Sequence, residues 1–217
     1  MLKHNNIYYP KDNTSAVVKS LLSGRQWEAR IADIIKENIK NWMVCCDAGA
    51  YIGGHTLLMS NLCKHVFSFE PNEPIFKCLQ RTIDENHIDN VTLFRCGLFN
   101  EKKKLLFGSN NDGDSRIINS STRRKFKEYR QINTITLDSL ELEQLDFIKI
   151  DVEGSEWQLI DGGIKTLAKY RPMIILETFF TNKNLQRLRE FCCLLDYDLT
   201  KINNENYFLK PNNIDDL

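Results

Sequence analysis

Thirteen residues constrain this chain more than any others: Val44-Cys45-Cys46-Asp47-Ala48-Gly49-Ala50-Tyr51-Ile52-Gly53-Gly54-His55-Thr56. A short apolar run suited to a buried strand passes through Asp47 into glycines, then into Thr56-Leu57-Leu58-Met59, which continues as a helix. A strand that turns sharply through glycines into a helix makes a ligand cradle. Glycine lets backbone approach the ligand, and N–H groups at the helix start offer donors at the positive end of the dipole.

Spacing narrows the ligand. The dinucleotide fingerprint needs glycine at its first, third and sixth positions. Here those positions are Gly49, Tyr51 and Gly54. Tyrosine stands where the glycine that makes room for a pyrophosphate belongs, which argues against a dinucleotide. A nucleoside without a pyrophosphate stays open. Glu70 lies 21 residues beyond Gly49, at the end of Val66-Phe67-Ser68-Phe69 and just before Pro71. An acid at that point is placed to accept hydrogen bonds from ribose hydroxyls. A tight strand–helix connection with no ligand is the plain alternative for the turn taken alone.

The 217 residues suffice for one domain with its own core. Lysine plus arginine equal aspartate plus glutamate at 29 each, so bulk charge gives no case for a nucleic-acid partner. The seven cysteines form no C-x-x-C pair, which points to reduced thiols in a cytoplasmic protein and away from zinc. The first residues lack the apolar core of a secretory signal, and no run reaches the ~18 apolar residues of a membrane span.

Along the chain, residues 1–23 read as polar and irregular, with a short helix near 15–22. An amphipathic helix follows over Arg25–Lys40, so residues 1–42 form a helical extension on a core of 43–217. Strands are expected at Met43–Cys46, Val66–Glu70 and Asn90–Cys96, alternating with helices at Gly53–Cys63 and Glu73–Asn86. Such alternation predicts an α/β fold, a mostly parallel sheet with helices on both faces. Lys102–Phe107 is expected as an edge strand, and 108–130 as an insertion or lid over the active edge. Its basic residues are Arg116, Arg123, Arg124, Lys125, Lys127 and Arg130. They suit either a solvated face or an acceptor-binding lid. Strands return at Ile132–Leu137, Leu145–Asp151 and Met173–Leu176. One helix is expected from Glu153 to about Tyr170, weakened by Gly162-Gly163, and another at Lys183–Leu195. Asp198–Ile202 and Tyr207–Lys210 form a closing antiparallel hairpin.

Acids end three of these strands: Glu70, Asp151 with Glu153, and Glu177. Lys149 shares a strand face with Asp151; if buried it needs a carboxylate, and Glu177 on the neighbouring strand is the expected partner. Asp151 and Glu153 flank the expected ligand, as a general base or polar clamp, or as acids decorating a helix start. At close spacing and together with a further acid they could hold Mg²⁺ or Ca²⁺, a reading that is not favoured. His55 opens the cradle's helix and could orient the ligand or take a proton.

Taken in order, these stretches resemble the FkbM-type S-adenosylmethionine-dependent methyltransferases. The resembling pieces are Asp47–Gly53, Phe69-Glu70-Pro71-Asn72, Thr136-Leu137-Asp138, Ile148–Glu156, Arg171-Pro172 and Leu176-Glu177. The resemblance implies a Rossmann-like class I methyltransferase with a seven-stranded, mostly parallel sheet. It implies S-adenosylmethionine as cofactor and methyl transfer to an oxygen, commonly a hydroxyl of a sugar or of a polyketide-type product. By position, Asp47, Gly49 and Gly53 would hold the methionine end, with Ala50 and Tyr51 in the same cradle. Glu70, with Pro71, would hold the ribose, and Glu28 would reach the cofactor. Asp151 and Glu153 would face the methyl group and the acceptor. An alcohol must lose its proton during attack, which makes Asp151 the first choice of base, with Glu153 and His55 behind it. The competing classes are a nicotinamide-dependent oxidoreductase, a non-catalytic nucleoside-binding module and an RNA methyltransferase. The expected partner is a sugar or glycan, without nucleic acid or membrane.

Overall fold

The computed structural model describes residues 1–110, 115–118, 126–179 and 181–212. Its centre is a seven-stranded sheet. The parallel strands are β3 (Val44–Ala48), β4 (His65–Phe69), β5 (Val91–Phe94), β10 (Phe147–Ile150) and β11 (Met173–Glu177). Two antiparallel strands, β12 (Tyr197–Lys201) and β13 (Asn206–Pro211), close one edge. The order is β12-β13-β11-β10-β3-β4-β5. The chain runs outward from β3 through β4 to β5, then returns to β10 on the other side of β3. That reversal opens a crevice at the carboxyl ends of β3 and β10, where ligands of open α/β sheets bind.

Neighbouring residues of each central strand bury into opposite faces. Cys45, Phe147 and Ile175 pack with Ile31 and Ile35 of α2 (Ala29–Asn38) and Met59 of α3 (Gly54–Ser60). Cys46, Ile148 and Ile174 pack on the other face with Leu159 of α5 (Glu156–Gly162), Leu167 of α6 (Ile164–Tyr170) and Leu188 of α7 (Asn182–Leu195). A sheet covered on both sides explains why these strands read as continuous apolar runs rather than alternating ones. Helix α4 (Glu73–Glu85) seals the cradle side with Leu79 and Ile83 against Ala50.

Four expectations are corrected. The first residues are not irregular: β1 (Leu2–His4) and β2 (Ile7–Tyr9) form a hairpin ahead of α1 (Ala16–Leu22), so 1–42 is not purely helical. The third core strand stops at Phe94, and β6 (Gly97–Leu98) leaves for a second sheet. That sheet, order β6-β9-β7-β8, takes in β7 (Lys103–Ser109), β8 (Ser115–Ile117) and β9 (Glu128–Ile135). The expected edge strand is therefore an inner strand of another sheet, flanked by β8 and β9. Of the basic stretch, Arg116 and Arg130 lie on β8 and β9, while Arg123, Arg124 and Lys125 lie outside the described residues. Finally, the helix expected to run to Tyr170 breaks at Gly163 into α5 and α6. A Cβ on Gly162 would stand 2.1 Å from the Phe99 carbonyl oxygen, so the break is where backbone packs on backbone.

Candidate active site

The crevice is a cleft of about 750 Å³. β3 delivers Asp47 to its floor, 1% exposed. The Thr56 hydroxyl donates to Asp47 Oδ2 at 2.6 Å, while the buried Oδ1 has no partner among the described residues. The chain then turns through three left-handed residues, Gly49 (φ +88°), Tyr51 (φ +52°) and Gly53 (φ +92°). Tyr51, a non-glycine residue held there, marks a turn whose shape is imposed by its surroundings.

The cradle differs from expectation in what it offers. The N–H groups of Gly49 and Ala50 donate to the Phe69 carbonyl at 3.0 and 2.9 Å, that of Tyr51 to Glu70 Oε2 at 3.1 Å, and that of Gly53 to the Ala50 carbonyl at 2.9 Å. These donors are spent inside the protein. The cradle presents carboxylate instead, Asp47 and Glu70. Glu70 also accepts from Asn72 N at 2.7 Å, and burial pushes its carboxyl up to about 8, against the pull of those two backbone hydrogen bonds. Gly53 does not line the cleft; a Cβ there would meet Leu79 Cδ1 at 2.8 Å, so it lets the turn lie on α4.

Across the cleft, Lys149 stands at the end of β10 and Asp151 just beyond it. The expected Lys149–Glu177 pair is corrected. The Lys149 ammonium donates to Asp151 Oδ2 at 2.7 Å. Burial alone would release the Lys149 proton, but Asp151, Asp47 and Glu28 hold it on, above the ordinary lysine value. Glu153 lies in a left-handed turn (φ +53°) and also faces the cleft. Glu28 sits at the start of α2, and His55 Nε2 lies 2.9 Å from its Oε2. Burial raises the Glu28 carboxyl, yet the His55 hydrogen bond and Lys149 outweigh it and leave it below the ordinary value. Glu28 accepts from His55 Nε2–H, while His55 Nδ1 is buried and unpartnered among the described residues.

Glu28, Asp47, Gly49, Ala50, Tyr51 and His55 thus line one side of the cleft, and Glu70, Pro71, Asp151 and Glu153 join them. Sequence reasoning missed the rest of the wall. The second sheet contributes Phe107, Arg116, Ile117 and Ile132, and the β12–β13 turn contributes Asn203, Asn204, Glu205 and Asn206. Of these only Arg116 was marked, as part of the basic 108–130 insertion expected over the active edge; topology alone brings the others to the crevice. Glu177, the strand-end acid expected only as a partner for Lys149, ends β11 and lines the cleft, and Phe179 just beyond it joins the wall without a sequence signal. Among the described residues, no group of three or more histidine, cysteine or acidic side chains is arranged to hold a metal, and no helix is long and apolar enough to cross a membrane.

The sheet order and the ligand crevice define a class I methyltransferase fold. Solved structures share it. An FkbM methyltransferase of Methylobacillus flagellatus superposes with a TM-score of 0.58 at 16% identity over 95% of this chain, which spans about half (49%) of that one. A precorrin-6y C5,15-methyltransferase of Geobacter metallireducens gives 0.53 at 18% identity, covering 95% of this chain and 97% of that. A Streptococcus mutans methyltransferase in complex with SAH gives 0.50 at 13%, covering 82% and 93%. At such identities the likeness carries the fold alone. No curated protein matches this chain. The family model of the methyltransferase FkbM domain matches residues 47–199, and the chain belongs to the FkbM methyltransferase family.

Proposed function

We propose that this protein is an S-adenosylmethionine-dependent O-methyltransferase whose acceptor is a hydroxyl of a sugar or glycan. One observation carries the cofactor reading. The N–H groups of Gly49, Ala50, Tyr51 and Gly53 are spent inside the protein, and two buried acidic side chains, Asp47 and Glu70, line the cleft. Such a cradle offers a pyrophosphate few donors and suits a nucleoside bearing an ammonium group and ribose hydroxyls. The unpartnered Asp47 Oδ1 is the acceptor such an ammonium would fill, and Glu70 the acceptor for the ribose. S-adenosylmethionine supplies a methyl group activated by a sulfonium charge. Asp151, held by Lys149, lies towards the acceptor side, where carboxylates also favour a cation.

Hydroxyl acceptors are supported by the open half of the cleft. Glu153, Glu177 and the asparagines of the β12–β13 turn offer hydrogen bonds in many directions, and Phe179, 46% exposed, offers a ring face. That composition suits a polyhydroxylated ring and does not suit a nucleic-acid backbone, which needs basic surface. A polyketide-type acceptor is the second reading, favoured by the apolar wall of Leu98, Phe107, Ile117 and Ile132.

Calorimetric titration tests the cofactor first. Micromolar binding of S-adenosylmethionine with none of NADH is the expected outcome. The reverse result, or no binding of either, would sink the proposal. Transfer of labelled methyl groups to a panel of free sugars and oligosaccharides, against a panel of apolar alcohols, then decides between the two acceptor classes.

A further inference from the structure

Methyl transfer to a hydroxyl needs a group that takes the hydroxyl proton, and most carboxylates of the cleft are already engaged. Glu70 accepts two backbone N–H groups. Asp151 is tied to the Lys149 ammonium, Glu28 to His55 and Asp47 to Thr56. Glu153 is engaged as well. Glu177 lines the same cleft, and its carboxyl makes no hydrogen bond or ion pair with any described side chain or backbone group.

Register puts Glu177 where the chemistry belongs. Leu176 pairs with Ile150 in the parallel ladder, so Glu177 follows beside Asp151. On its other side, β13 sets Asn206 directly opposite Glu177. Residues facing each other across an antiparallel pair project to the same side. Asn206 is 4% exposed, lines the cleft, and leaves Oδ1 without a partner among the described residues. A buried amide oxygen costs stability unless something satisfies it, and a ligand hydroxyl is the natural donor in a cleft.

We propose that Glu177 takes the proton of the acceptor hydroxyl, with Asn206 beside it as a hydrogen-bond acceptor for the same substrate. The assignment rests on the O-methyl transfer proposed above and moves the base away from Asp151. In the step, the hydroxyl O–H bond breaks and its proton passes to a Glu177 carboxylate oxygen. The hydroxyl oxygen forms the new bond to the methyl carbon, and the electron pair of the broken C–S bond stays on sulfur as a neutral thioether. Protonated Glu177 returns its proton to water once the product leaves.

The charged groups around Glu177 set its response. Lys149 and Asp151 face it from the end of β10, Glu153 from the following turn, Glu28 from the start of α2 and Glu205 from the β12–β13 turn. Burial first, then Asp151, pushes the Glu177 carboxyl up to about 8, while Lys149 pulls it down. Once ionised, such a carboxylate is a stronger base than an ordinary glutamate. A sulfonium arriving beside it favours the ionised form, so cofactor binding must expel the proton.

Proton release is therefore the readout. Calorimetry in buffers of differing ionisation heat counts the protons exchanged when S-adenosylmethionine or S-adenosylhomocysteine binds. The two ligands share ribose and methionine ends, so Asp47 and Glu70 respond alike to both, and only the sulfonium charge differs. At about pH 7.5 the sulfonium form should release more protons, by up to about one. Glu177→Gln should still bind S-adenosylhomocysteine and should lose that excess. An excess that persists in Glu177→Gln overturns the assignment. So does a wild-type protein with no excess anywhere between about pH 6.5 and 9, a result independent of whether the variant folds. Wild-type protein that binds neither ligand instead overturns the methyltransferase proposal, and this assignment with it.

Discussion

A Cβ placed on Gly49 would lie 1.7 Å from the carbonyl oxygen of Asp151 and 2.8 Å from its carbonyl carbon. The two residues extend adjacent parallel strands, with Asp151 N donating to the Ala48 carbonyl at 3.0 Å just before the contact. The turn that shapes the cradle and the strand end that faces the acceptor are thus one backbone-on-backbone contact.

Gly49→Ala must therefore push β3 and β10 apart or abandon its φ of +88°. Neither relaxes cheaply, because the obstacle is backbone; a loss of about 2–4 kcal/mol is expected. Gly54→Ala is the control. It starts α3 and its Cβ would meet nothing within 4 Å, so a gain of up to about 0.5 kcal/mol is expected from lost chain entropy. Urea unfolding of both variants checks the contrast, and equal stabilities would remove Gly49 from its structural role.

Asp47→Asn separates binding from folding. The wild-type carboxylate is buried with Oδ1 unpartnered, so neutralising it should leave stability within about 1 kcal/mol. Affinity for S-adenosylmethionine should drop about 10- to 100-fold, the worth of a charge-assisted hydrogen bond. Calorimetry and thermal melting on the same sample decide it; unchanged affinity would take Asp47 out of the cofactor site.

Glu70 and Glu177 both titrate in the folded protein near 8, against an ordinary value of 4.5. A carboxyl raised on folding binds its proton more tightly in the folded state. Its stabilising contribution is full below the unfolded value and is lost as pH rises through the folded one. Lys149 titrates above the ordinary lysine range and Glu28 below the ordinary glutamate range, so neither opposes this between those two values. His65, lowered by burial, opposes this only up to about its ordinary value of 6.5, so melting temperature should fall as pH rises from about 6.5 to 9, and the fall should shrink in Glu177→Gln. A flat or rising profile would contradict the burial of these carboxyls.

Much of the site was legible because strand ends announce themselves. Asp47, Glu70 and Asp151 each close an apolar run, and an open parallel sheet gathers such ends at one edge. Gly49 was legible for the same reason, since only glycine tolerates both its φ and the Asp151 carbonyl. Lys149 was misread because partner choice depends on rotamers: Glu177 sits on the next strand, but Asp151, two residues on, reaches the ammonium first. The second sheet was hidden for another reason. Lys102–Phe107 and Ile132–Leu137 read as strands in sequence, but local pattern does not say which sheet they join, and the start of Glu128–Ile135 was read as part of the 108–130 insertion. Their pairing is antiparallel and long-range, and it is this pairing that brings Phe107 and Ile132 to the cleft wall.

The charge balance of the cleft rests on Lys149. It is 2% exposed and its attraction to Asp151, Asp47 and Glu28 offsets the cost of burying its own charge. Lys149→Met keeps the bulk of the side chain but removes the cation, leaving three carboxylates without it. The expected loss is about 3–5 kcal/mol at neutral pH, the range for breaking a buried ion pair from one side. Removing the facing charge as well should recover part of it, because Asp151→Asn relieves what the first change created. Lys149→Met/Asp151→Asn should therefore be less destabilised than the sum of the single variants, by at least about 1 kcal/mol. Urea unfolding of all four proteins measures the coupling. Strict additivity would mean that the 2.7 Å contact between Lys149 and Asp151 does not hold the cleft's charges together.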